Sequence, residues 1–406
     1  MTSMSKYPLS GVRILDFSTQ MACPYGATLL ALMGAEVIKV ESRRHLDSGR
    51  RSPGLSDDPN FLNMVPRFND NNQCKLGVTV DLTNPDGRDI VRGLLRISDV
   101  AVANMRPGKM DKIGLGYADM RRERPDIIVL SLSSMGSRGP ERQYAGYAGI
   151  FAALSGLCDA TGYVGGQPTE GRATIDATAA TTVAFATAAA LFHRKQTGEG
   201  QHIDLSAREA VGSLLGEMYV EYTMNGRNPT RKGNEDDVMA PHNVYPCMDK
   251  DSWVSIAVGS EREWQAFCRV LGRPEWTTDV RFADTHVRWK NRADLDAAVA
   301  QWTKTRTPYA VMHALQNAGV AAMPSMSSKD LFTDPHTQSR GIYKEFQHKA
   351  LGKRTVIGPQ WKFSATPLDT ARPAPLFGEH NGLVFNELLG MSRETVQEKE
   401  KSKVIY

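Results

Sequence analysis

The sequence predicts an α/β protein: a large Rossmann-like domain with a parallel sheet, and a second, smaller α/β domain. Two observations favour this fold class. Short apolar runs alternate with helical segments from residue 12 onwards, and parallel strands need helical crossovers of this kind. The chain of 406 residues is also long enough for two domains, and a polar, turn-rich stretch at 225–237 separates its two parts.

The first βαβ unit sets the pattern for the larger domain. Residues 12–17 form an apolar run typical of a buried strand, 24–33 a helix that Gly34 ends, and 36–41 a second strand. We predict further strands at 77–81, 99–103, 126–131 and 201–206, and further helices at 85–97, 117–124 and 207–224. A long Ala-rich helix precedes the last strand, with Asp176 at its N-terminus and Gly198 after its end.

A second, shorter group of elements follows the turn-rich stretch. We predict a strand at 253–258, an extended segment at 320–324, and helices at 262–271, 292–303 and 308–317. The remainder of the chain contains several turn signals and can return to the first domain.

The composition is that of a soluble globular protein, with 41% hydrophobic and 23% charged residues. A net charge of +4, without an aromatic-interleaved basic tract, argues against a nucleic-acid partner. The most apolar run, 183–192, is too short and too rich in Ala and Thr to suggest a membrane span, and no apolar leader precedes residue 12. We therefore expect a cytoplasmic protein with no membrane partner.

Several kinds of chemistry lack their sequence motif. The turn at 18–24 has no G-x-G-x-x-G, and no G-x-x-x-x-G-K-[ST] occurs, which disfavours nicotinamide, flavin and phosphoryl-transfer enzymes. The absence of G-x-S-x-G disfavours an α/β-hydrolase. Five cysteines without a C-x-x-C and nine dispersed histidines favour neither disulfides nor a metal site. His380 is either a catalytic base or, more commonly, a structural residue of a turn.

Asp176 stands among small residues at the start of the long helix, and two interpretations are open. Asp is favoured at helix N-caps because its carboxylate accepts an otherwise unpaired backbone N–H, and this is the commoner role. The alternative is a nucleophile. The helix dipole favours an ionised carboxylate, and small neighbours leave room for a bulky activated acyl group.

Four motifs give the chain a resemblance to the family III CoA-transferases, the group typified by formyl-CoA and carnitine CoA-transferases. Asp176 is followed by a small-residue helix and R-K-Q-T-G-E-G-Q at 194–201. The other motifs are G-A-E-V-I-K-V-E at 34–41, N-M-R-P-G at 104–108 and G-E-H at 378–380. Two positions depart from the family pattern: Cys23 replaces the glycine of an Ala-Gly-Pro turn, and Ser42 stands where the family often has Arg.

The resemblance implies that Asp176 is the catalytic nucleophile and that coenzyme A is a substrate, with no permanently bound cofactor and no metal. The residues that it implies for CoA binding are Met21, Ala22, Arg43, Val80, Thr83, Asn104, Met105, Arg106, Lys112, Tyr144 and Tyr147. Arg106 and Lys112 suit this role because the phosphates of CoA need charge-assisted donors. Arg43 is the candidate to replace the arginine missing at Ser42.

The resemblance also implies the arrangement of domains and subunits. Residues 1–224 and 328–406 would form a discontinuous, Rossmann-like CoA-binding domain, 238–327 a small domain, and 225–237 the linker. The expected assembly is an interlocked homodimer, or a heteromer with a related subunit.

The implied reaction moves CoA from an acyl-CoA, with succinyl-CoA as the expected donor, to an organic acid such as an aryl-substituted succinate. Asp176 would carry first a mixed anhydride and then an aspartyl-CoA thioester. Arg43, Arg50 and Arg51 are candidates to hold a second carboxylate, with a surface role as the commoner alternative for each.

Two other functions stay open. An α-methylacyl-CoA racemase would need a second acid/base group, supplied in those enzymes by a Gly-His-Asp segment where this chain has Gly146-Tyr147-Ala148. A CoA-binding partner subunit of a heteromeric transferase would need no chemistry at Asp176.

Overall fold

The computed structural model describes residues 6–51, 60–368 and 371–406, without the side chains of 172 and 173. The chain forms two compact units. The first combines Met1–Cys158, Glu170–Asn228 and Gly341–Tyr406, and the second combines Asp159–Thr169 with Pro229–Arg340.

The two units differ from the predicted domains in two places. The second unit extends to Arg340 and includes Asp159–Thr169. This short segment is tied to the second unit because Arg231 pairs with Asp159 at 2.9 Å and the N–H of Gly233 donates to the carbonyl of Gly162 at 2.8 Å.

The first unit contains a six-stranded sheet in which all neighbouring strands are parallel, as the alternating pattern predicts. The strand order is β3-β2-β1-β4-β5-β6. The strands are β1 (Arg13–Asp16), β2 (Glu36–Glu41), β3 (Leu76–Thr79), β4 (Val100–Ala103), β5 (Ile128–Ser133) and β6 (His202–Ser206). The order reverses beside β1, between β1 and β4, and such a switch point opens a crevice at the carboxyl ends of the strands.

Both faces of this sheet are buried. Two successive residues of β1, Ile14 and Leu15, belong to two separate hydrophobic clusters, because successive side chains of a strand point to opposite faces. The helices of the first unit are Ala22–Leu32, Phe61–Met64, Pro66–Asn71, Pro85–Arg96, Lys109–Lys112, Tyr117–Glu123, Ala148–Leu154, Arg172–Thr197, Ala207–Gly212, Gly216–Asn225 and Arg393–Lys401, with the π-helix Gly382–Leu388 and short 3₁₀ turns at Ser48–Arg50 and Ser213–Leu215. The short helix Leu157–Ala160 spans the boundary between the units. The single helix predicted at 207–224 is therefore broken near Gly212 and Gly216, which disfavour a continuous helix.

A close helix pair covers one face of the sheet. The helix Ala22–Leu32 packs against Arg172–Thr197, and a Cβ atom at Gly26 would lie 2.7 Å from the Cβ of Val183 and 2.8 Å from the carbonyl oxygen of Ala180. Only glycine at position 26 allows the helices to approach this closely. This contact fixes the helix that carries Asp176.

The Asp176 helix is more apolar than the sequence analysis allowed. The helix extends well beyond the run 183–192, and by length and composition alone Thr174–Thr197 could cross a membrane, with a mean hydropathy of 1.5 over its best window. One side of this helix is buried in the core of the first unit, through Ala179, Ala180, Val183 and Leu191. A buried core helix can have the same length and hydropathy as a membrane-spanning one.

The C-terminal segment closes the edge of the sheet at β3. The backbone carbonyl of Tyr406 accepts a hydrogen bond from Asn381, and the backbone N–H of Tyr406 donates to the hydroxyl of Thr79 at 3.0 Å. His380 accepts from the N–H of Gly77 at 3.1 Å through Nδ1, and its own N–H donates to the carbonyl of Gly77. These bonds give His380 a structural role. A hairpin, β10 (Tyr343–His348) and β11 (Gly352–Ile357), also belongs to this unit.

The second unit is built on a three-stranded antiparallel sheet in the order β7-β8-β9. Its strands are β7 (His242–Pro246), β8 (Trp253–Ala257) and β9 (Ala321–Pro324). The helices are Glu261–Leu271, Thr285–Lys290, Arg292–Thr303, Pro308–Gln316, Ser328–Thr333 and Pro335–Ser339, with 3₁₀ turns at Pro274–Thr277 and Val280–Phe282. Trp264 packs on Trp276 and Phe282 at the centre of its core. Strand β7 was not predicted.

Candidate functional site

A cavity of about 380 Å³ opens at the carboxyl ends of the strands, where the strand order reverses; we call it the strand-end cavity. Four consecutive strand ends supply its walls. After β1 the lining residues are Phe17, Ser18 and Thr19. From the end of β2 onwards they are Val40, Glu41, Ser42, Arg44, His45, Leu46, Asp47 and Arg51. After β3 they are Val80, Leu82 and Thr83, and after β4 they are Asn104, Met105, Arg106, Lys109 and Ile113. A lining that combines apolar side chains with the cations Arg44, Arg51, Arg106 and Lys109 suits a ligand that carries both a ring system and phosphates.

Two smaller cavities adjoin the strand-end cavity. One, of about 170 Å³, lies between Asn104–Pro107 and the loop that carries Tyr144 and Tyr147. The other, of about 100 Å³, lies beneath the helix Tyr117–Glu123 and reaches His202. Met105 and Arg106 line all three cavities. The Arg106 guanidinium is therefore placed where a ligand passing from one cavity to the next would meet it.

The predicted CoA-binding residues do not all lie together. Val80, Thr83, Asn104, Met105 and Arg106 line the strand-end cavity, and Tyr144 and Tyr147 line the neighbouring one. Met21 is the N-cap of the helix Ala22–Leu32, and Ala22 is its first residue.

Arg43 and Lys112 are exposed and are not among the residues that line the strand-end cavity. The Arg43 guanidinium lies 5.8 Å from the centre of the Phe377 ring. Arg44, Arg51 and Lys109 line the cavity instead, and the sequence analysis missed Arg44 and Lys109. The sequence did offer a signal for both: Arg44 directly follows the predicted site residue Arg43, and Lys109 lies three residues after Arg106.

The loop after β1 is held by side chains from two other strand ends. The carboxamide of Asn104 accepts from the N–H of Thr19 at 2.8 Å and donates to its carbonyl at 2.7 Å. Asp47 accepts from the N–H of Gln20 at 2.9 Å, and Gln20 has a positive φ of 76°. Since non-glycine residues rarely adopt this conformation, the hydrogen bonds from Asn104 and Asp47 impose the shape of the loop.

Beneath this loop lies a buried cluster of four charges. Lys39 pairs with Asp47 at 2.9 Å, Lys75 pairs with Asp16 at 2.8 Å, and all four side chains are buried. Burial by itself would lower the pKa of Lys39, but the nearby carboxylates of Asp16 and Asp47 outweigh it and raise that pKa. Burial would raise the pKa of Asp16, and the two lysines outweigh it and lower that pKa. Burial lowers the pKa of Lys75, although the Asp16 carboxylate opposes this. The two lysines and two aspartates balance in formal charge.

Arg50 is a structural residue and does not lie free on the surface or in the cavity. It is fully buried and pairs with Glu41, with guanidinium nitrogens 2.9 Å from the carboxylate oxygens. It also donates to the carbonyls of Leu62 and Pro375, and its plane lies 3.4 Å from the centre of the Phe68 ring. With its donors in use, Arg50 cannot hold a substrate carboxylate.

Asp176 lies in the second turn of its helix and does not cap it. The helix begins at Arg172 with Gly171 as the N-cap, so the capping interpretation was wrong. The carboxylate is half-buried and makes no hydrogen bond or ion pair with any other residue that the structure describes. Burial raises the pKa of Asp176, and the charge of Arg67 works against that rise.

The neighbours of Asp176 fix its backbone. Ile175 packs with Ala152 and Val211 in a small buried cluster, and Ala179 lies in the main core. Ala152 belongs to the helix that directly follows Tyr144 and Tyr147. The carboxylate therefore stands on a well-packed helix without a partner among the residues that the structure describes, which is the condition of a group available to a ligand.

The profile of the CoA-transferase family III matches residues 9–381, nearly the whole chain. The chain belongs to family III of the CoA-transferases. This CoA-transferase is 32% identical to the succinyl-CoA–D-citramalate CoA-transferase of Chloroflexus aurantiacus, over 98% of each chain. It is also 32% identical to the succinate–glutarate CoA-transferase of Agrobacterium fabrum, over 96% of this chain and 97% of that one.

Solved structures agree with this assignment. The CoA-transferase superposes on a CAIB/BAIF family protein from Brucella suis with a TM-score of 0.85, at 29% identity, over 94% of this chain and 99% of that one. A second structure, from Mycobacterium tuberculosis, gives a TM-score of 0.79 at 26% identity. The substrates of this family III CoA-transferase are thus a CoA thioester and an organic acid.

Proposed function

We propose that this CoA-transferase moves CoA from succinyl-CoA to a dicarboxylic acid, with Asp176 as the covalent carrier. The observation that carries the proposal is the state of Asp176: a half-buried carboxylate on a rigid helix, without a partner among the described residues. An unpaired carboxylate is costly to bury and is retained where it reacts.

The relatives support the donor and the class of acceptor. Those from Chloroflexus aurantiacus and Agrobacterium fabrum carry succinyl-CoA or succinate in their names, with citramalate or glutarate as the second acid. Both acceptors are dicarboxylic acids. An aryl-substituted succinate belongs to the same chemical class and is the larger acceptor to include in a substrate panel.

The nucleotide of CoA would occupy the strand-end cavity. Val80 and Thr83 would lie beside the adenine, and Arg106, with Arg44 and Lys109, would bind the phosphates through charge-assisted hydrogen bonds. The pantetheine would pass Met21 and Ala22, at the start of the helix that packs on the Asp176 helix. Tyr144 and Tyr147 would flank the thioester end.

The reaction proceeds in two symmetric halves and needs no external proton donor. A carboxylate oxygen of Asp176 attacks the thioester carbonyl, the C–S bond breaks, and CoA leaves as a thiolate, giving a mixed anhydride. The thiolate attacks the aspartyl carbonyl, succinate leaves, and an aspartyl-CoA thioester remains. The acceptor carboxylate attacks this thioester, and the released thiolate then attacks the acceptor's acyl carbonyl. The new thioester leaves, and the Asp176 carboxylate is restored.

An assembly of two or more chains fits the exposed apolar side chains of the first unit. Phe185 and Phe192 lie on the open face of the Asp176 helix, with 76% and 64% of their surfaces exposed. Tyr219, Tyr222 and Met224 are exposed on the helix Gly216–Asn225. We propose an interlocked dimer. A heteromer is the alternative, because relatives at 30% identity are α and β subunits of a succinyl-CoA–L-malate CoA-transferase.

The test is mass spectrometry of the wild-type protein and of Asp176→Asn after incubation with succinyl-CoA. Hydroxylamine should convert the aspartyl-CoA thioester of the wild type into a hydroxamate on the peptide that contains Asp176. The Asn variant should show no adduct and no transfer to glutarate, citramalate or phenylsuccinate. Thr178→Ala, which removes a partly exposed hydroxyl two residues further along the same helix, is the control that should keep the adduct.

Three results would contradict the proposal. Full transfer by Asp176→Asn would remove the covalent step. Exchange of deuterium at the α-carbon of an acyl-CoA, without an adduct, would instead indicate a racemase. Transfer that appears only after a second, related chain is added would indicate a partner subunit.

A further inference from the structure

We infer that Arg67 binds the second carboxylate of the dicarboxylic substrate while the first reacts at Asp176, which makes Arg67 a specificity-determining residue. This inference rests on the proposed function and names the group that would select its substrate class.

The backbone that carries Arg67 is firmly anchored. Arg67 lies in the short helix Pro66–Asn71, and the next residue, Phe68, is buried beneath the guanidinium of Arg50. Asn69 donates to the carbonyls of Asn63 and Val65 at 3.0 and 3.1 Å. Such contacts fix the start of the Arg67 side chain while leaving its end free.

The end of this helix is hydrogen-bonded to the loop after β1 and to the helix Ala22–Leu32. The carbonyl of Asn71 accepts from the hydroxyl of Thr28 at 2.6 Å, and its side chain donates to the carbonyl of Gln20 at 3.3 Å. Thr28 lies in the helix Ala22–Leu32, which packs on the Asp176 helix through Gly26. The helices that carry Arg67 and Asp176 therefore both pack on Ala22–Leu32.

The side chains of Arg67 and Asp176, on helices that share this packing partner, do not pair with each other. Arg67 is exposed and makes no ion pair or hydrogen bond with any residue in the described part of the chain, and Asp176 makes none either. Among the described residues, Arg67 is the charged group whose charge acts on the Asp176 carboxylate, and it opposes the rise in pKa that burial causes.

Two of the three arginines that the sequence analysis offered for a second carboxylate have contacts of their own in the described part of the chain. All three nitrogens of the Arg50 guanidinium donate hydrogen bonds, to Glu41 and to the carbonyls of Leu62 and Pro375. Arg43 lies over the Phe377 ring. Arg67, in contrast, is exposed and makes no ion pair or hydrogen bond with another described residue.

A dicarboxylic acid fits this arrangement chemically. When one carboxyl group is bound covalently to Asp176, the other remains ionised a few carbon atoms away. A guanidinium offers two parallel N–H donors to a carboxylate, which gives both affinity and orientation. A monocarboxylic acid of the same length would leave Arg67 unpaired and gain nothing from it.

The experiment compares Arg67→Gln and Arg67→Lys with the wild type on matched pairs of substrates. The donors are succinyl-CoA and butyryl-CoA, and the acceptors are glutarate and valerate. For Arg67→Gln we expect kcat/KM for the dicarboxylic substrates to fall roughly 10-fold to 100-fold, mainly through KM, because a charge-assisted pair is lost. The kcat/KM values for butyryl-CoA and valerate should stay within about twofold of the wild type. A general loss of folded protein would instead lower all of the values alike. Arg67→Lys should restore part of the dicarboxylate activity.

A second readout is the pH profile with the monocarboxylic pair. Because the charge of Arg67 lowers the pKa of Asp176, its removal should move the acid limb of kcat/KM to higher pH, and Arg67→Lys should move it back. Arg121→Gln, at an exposed arginine on the helix Tyr117–Glu123, is the matched control and should change neither readout.

Two results would overturn the inference while leaving the proposed function intact. Equal losses on dicarboxylic and monocarboxylic substrates would place Arg67 in CoA binding or in folding. An unchanged preference of Arg67→Gln for dicarboxylic over monocarboxylic substrates, with the Asp176 adduct still formed, would show that another group binds the second carboxylate. Failure of the proposed function itself has a different signature, namely a wild-type protein without an Asp176 adduct.

Discussion

The carboxamide of Asn104 makes two hydrogen bonds with the backbone of Thr19: its oxygen accepts from the Thr19 N–H at 2.8 Å, and its nitrogen donates to the Thr19 carbonyl at 2.7 Å. The two residues follow β1 and β4, the strands between which the sheet order reverses. Both also line the strand-end cavity. Asn104 therefore shapes the wall of the cavity in addition to facing it.

We expect Asn104→Ala to weaken CoA binding without preventing folding. Two partly buried hydrogen bonds are lost, which should lower the free energy of unfolding by about 1–2 kcal/mol. The freed loop should raise the Kd for CoA several-fold, as measured by calorimetry. Asn84→Ala removes a helix cap of comparable worth on an exposed turn, and it should lower stability without changing the Kd. Equal Kd values for the two variants would contradict this role of Asn104.

The neighbouring arginines 43 and 44 should behave differently. Arg44 lines the strand-end cavity, whereas Arg43 lies outward over Phe377. We expect Arg44→Gln to raise the KM for an acyl-CoA roughly tenfold at low salt, with a smaller effect at high salt because screening weakens the lost interaction. Arg43→Gln should stay within about twofold of the wild type. The opposite result would restore Arg43 as the CoA-binding residue.

The contrast between these two arginines shows where sequence reasoning stops. The strands of the large sheet were predicted to within a few residues, because each is an apolar run long enough to be recognised locally. Which of two adjacent basic residues faces a cavity depends on a turn whose shape is imposed from elsewhere. Here Arg44 pairs at 3.2 Å with Asp81, which follows β3 and lies 37 residues away in the sequence.

Asp176 and β7 show the same limit. The helix of Asp176 was predicted, but its start was placed too late, because Ala and Thr give no clear boundary and Gly171 is a weak cap signal. Strand β7 escaped prediction because its residues are only partly buried, so its apolar pattern is weak. It is recognisable as a strand through its pairing with β8, a contact that local sequence does not contain.

Arg50 and Glu41 should give a marked difference between single and double substitutions. Both side chains are almost fully buried. Arg50→Met leaves the Glu41 carboxylate without its partner, so we expect a loss of about 3–5 kcal/mol in the free energy of unfolding, measured by urea titration. Glu41→Met should cost a similar amount. The double variant should be less destabilised than the sum of the two, by at least about 2 kcal/mol. Additive losses would show that the pair is not coupled.

Asp176→Asn should abolish CoA transfer and leave the protein as stable as the wild type, or more stable. Because burial raises the pKa of Asp176, the folded chain holds this proton more tightly than the unfolded chain does. The ionised carboxylate therefore costs stability once the pH rises above the unfolded-state pKa, and the full cost is present above the folded-state pKa.

An amide of the same shape removes that cost. The difference in Tm between Asp176→Asn and the wild type should shrink as the pH falls towards the pKa of the carboxyl group, where both side chains are neutral. Thermal unfolding at neutral and acidic pH measures this difference directly. A variant that is inactive and also strongly destabilised at neutral pH would mean that Asp176 holds the fold together, and its unpartnered carboxylate would then need another explanation.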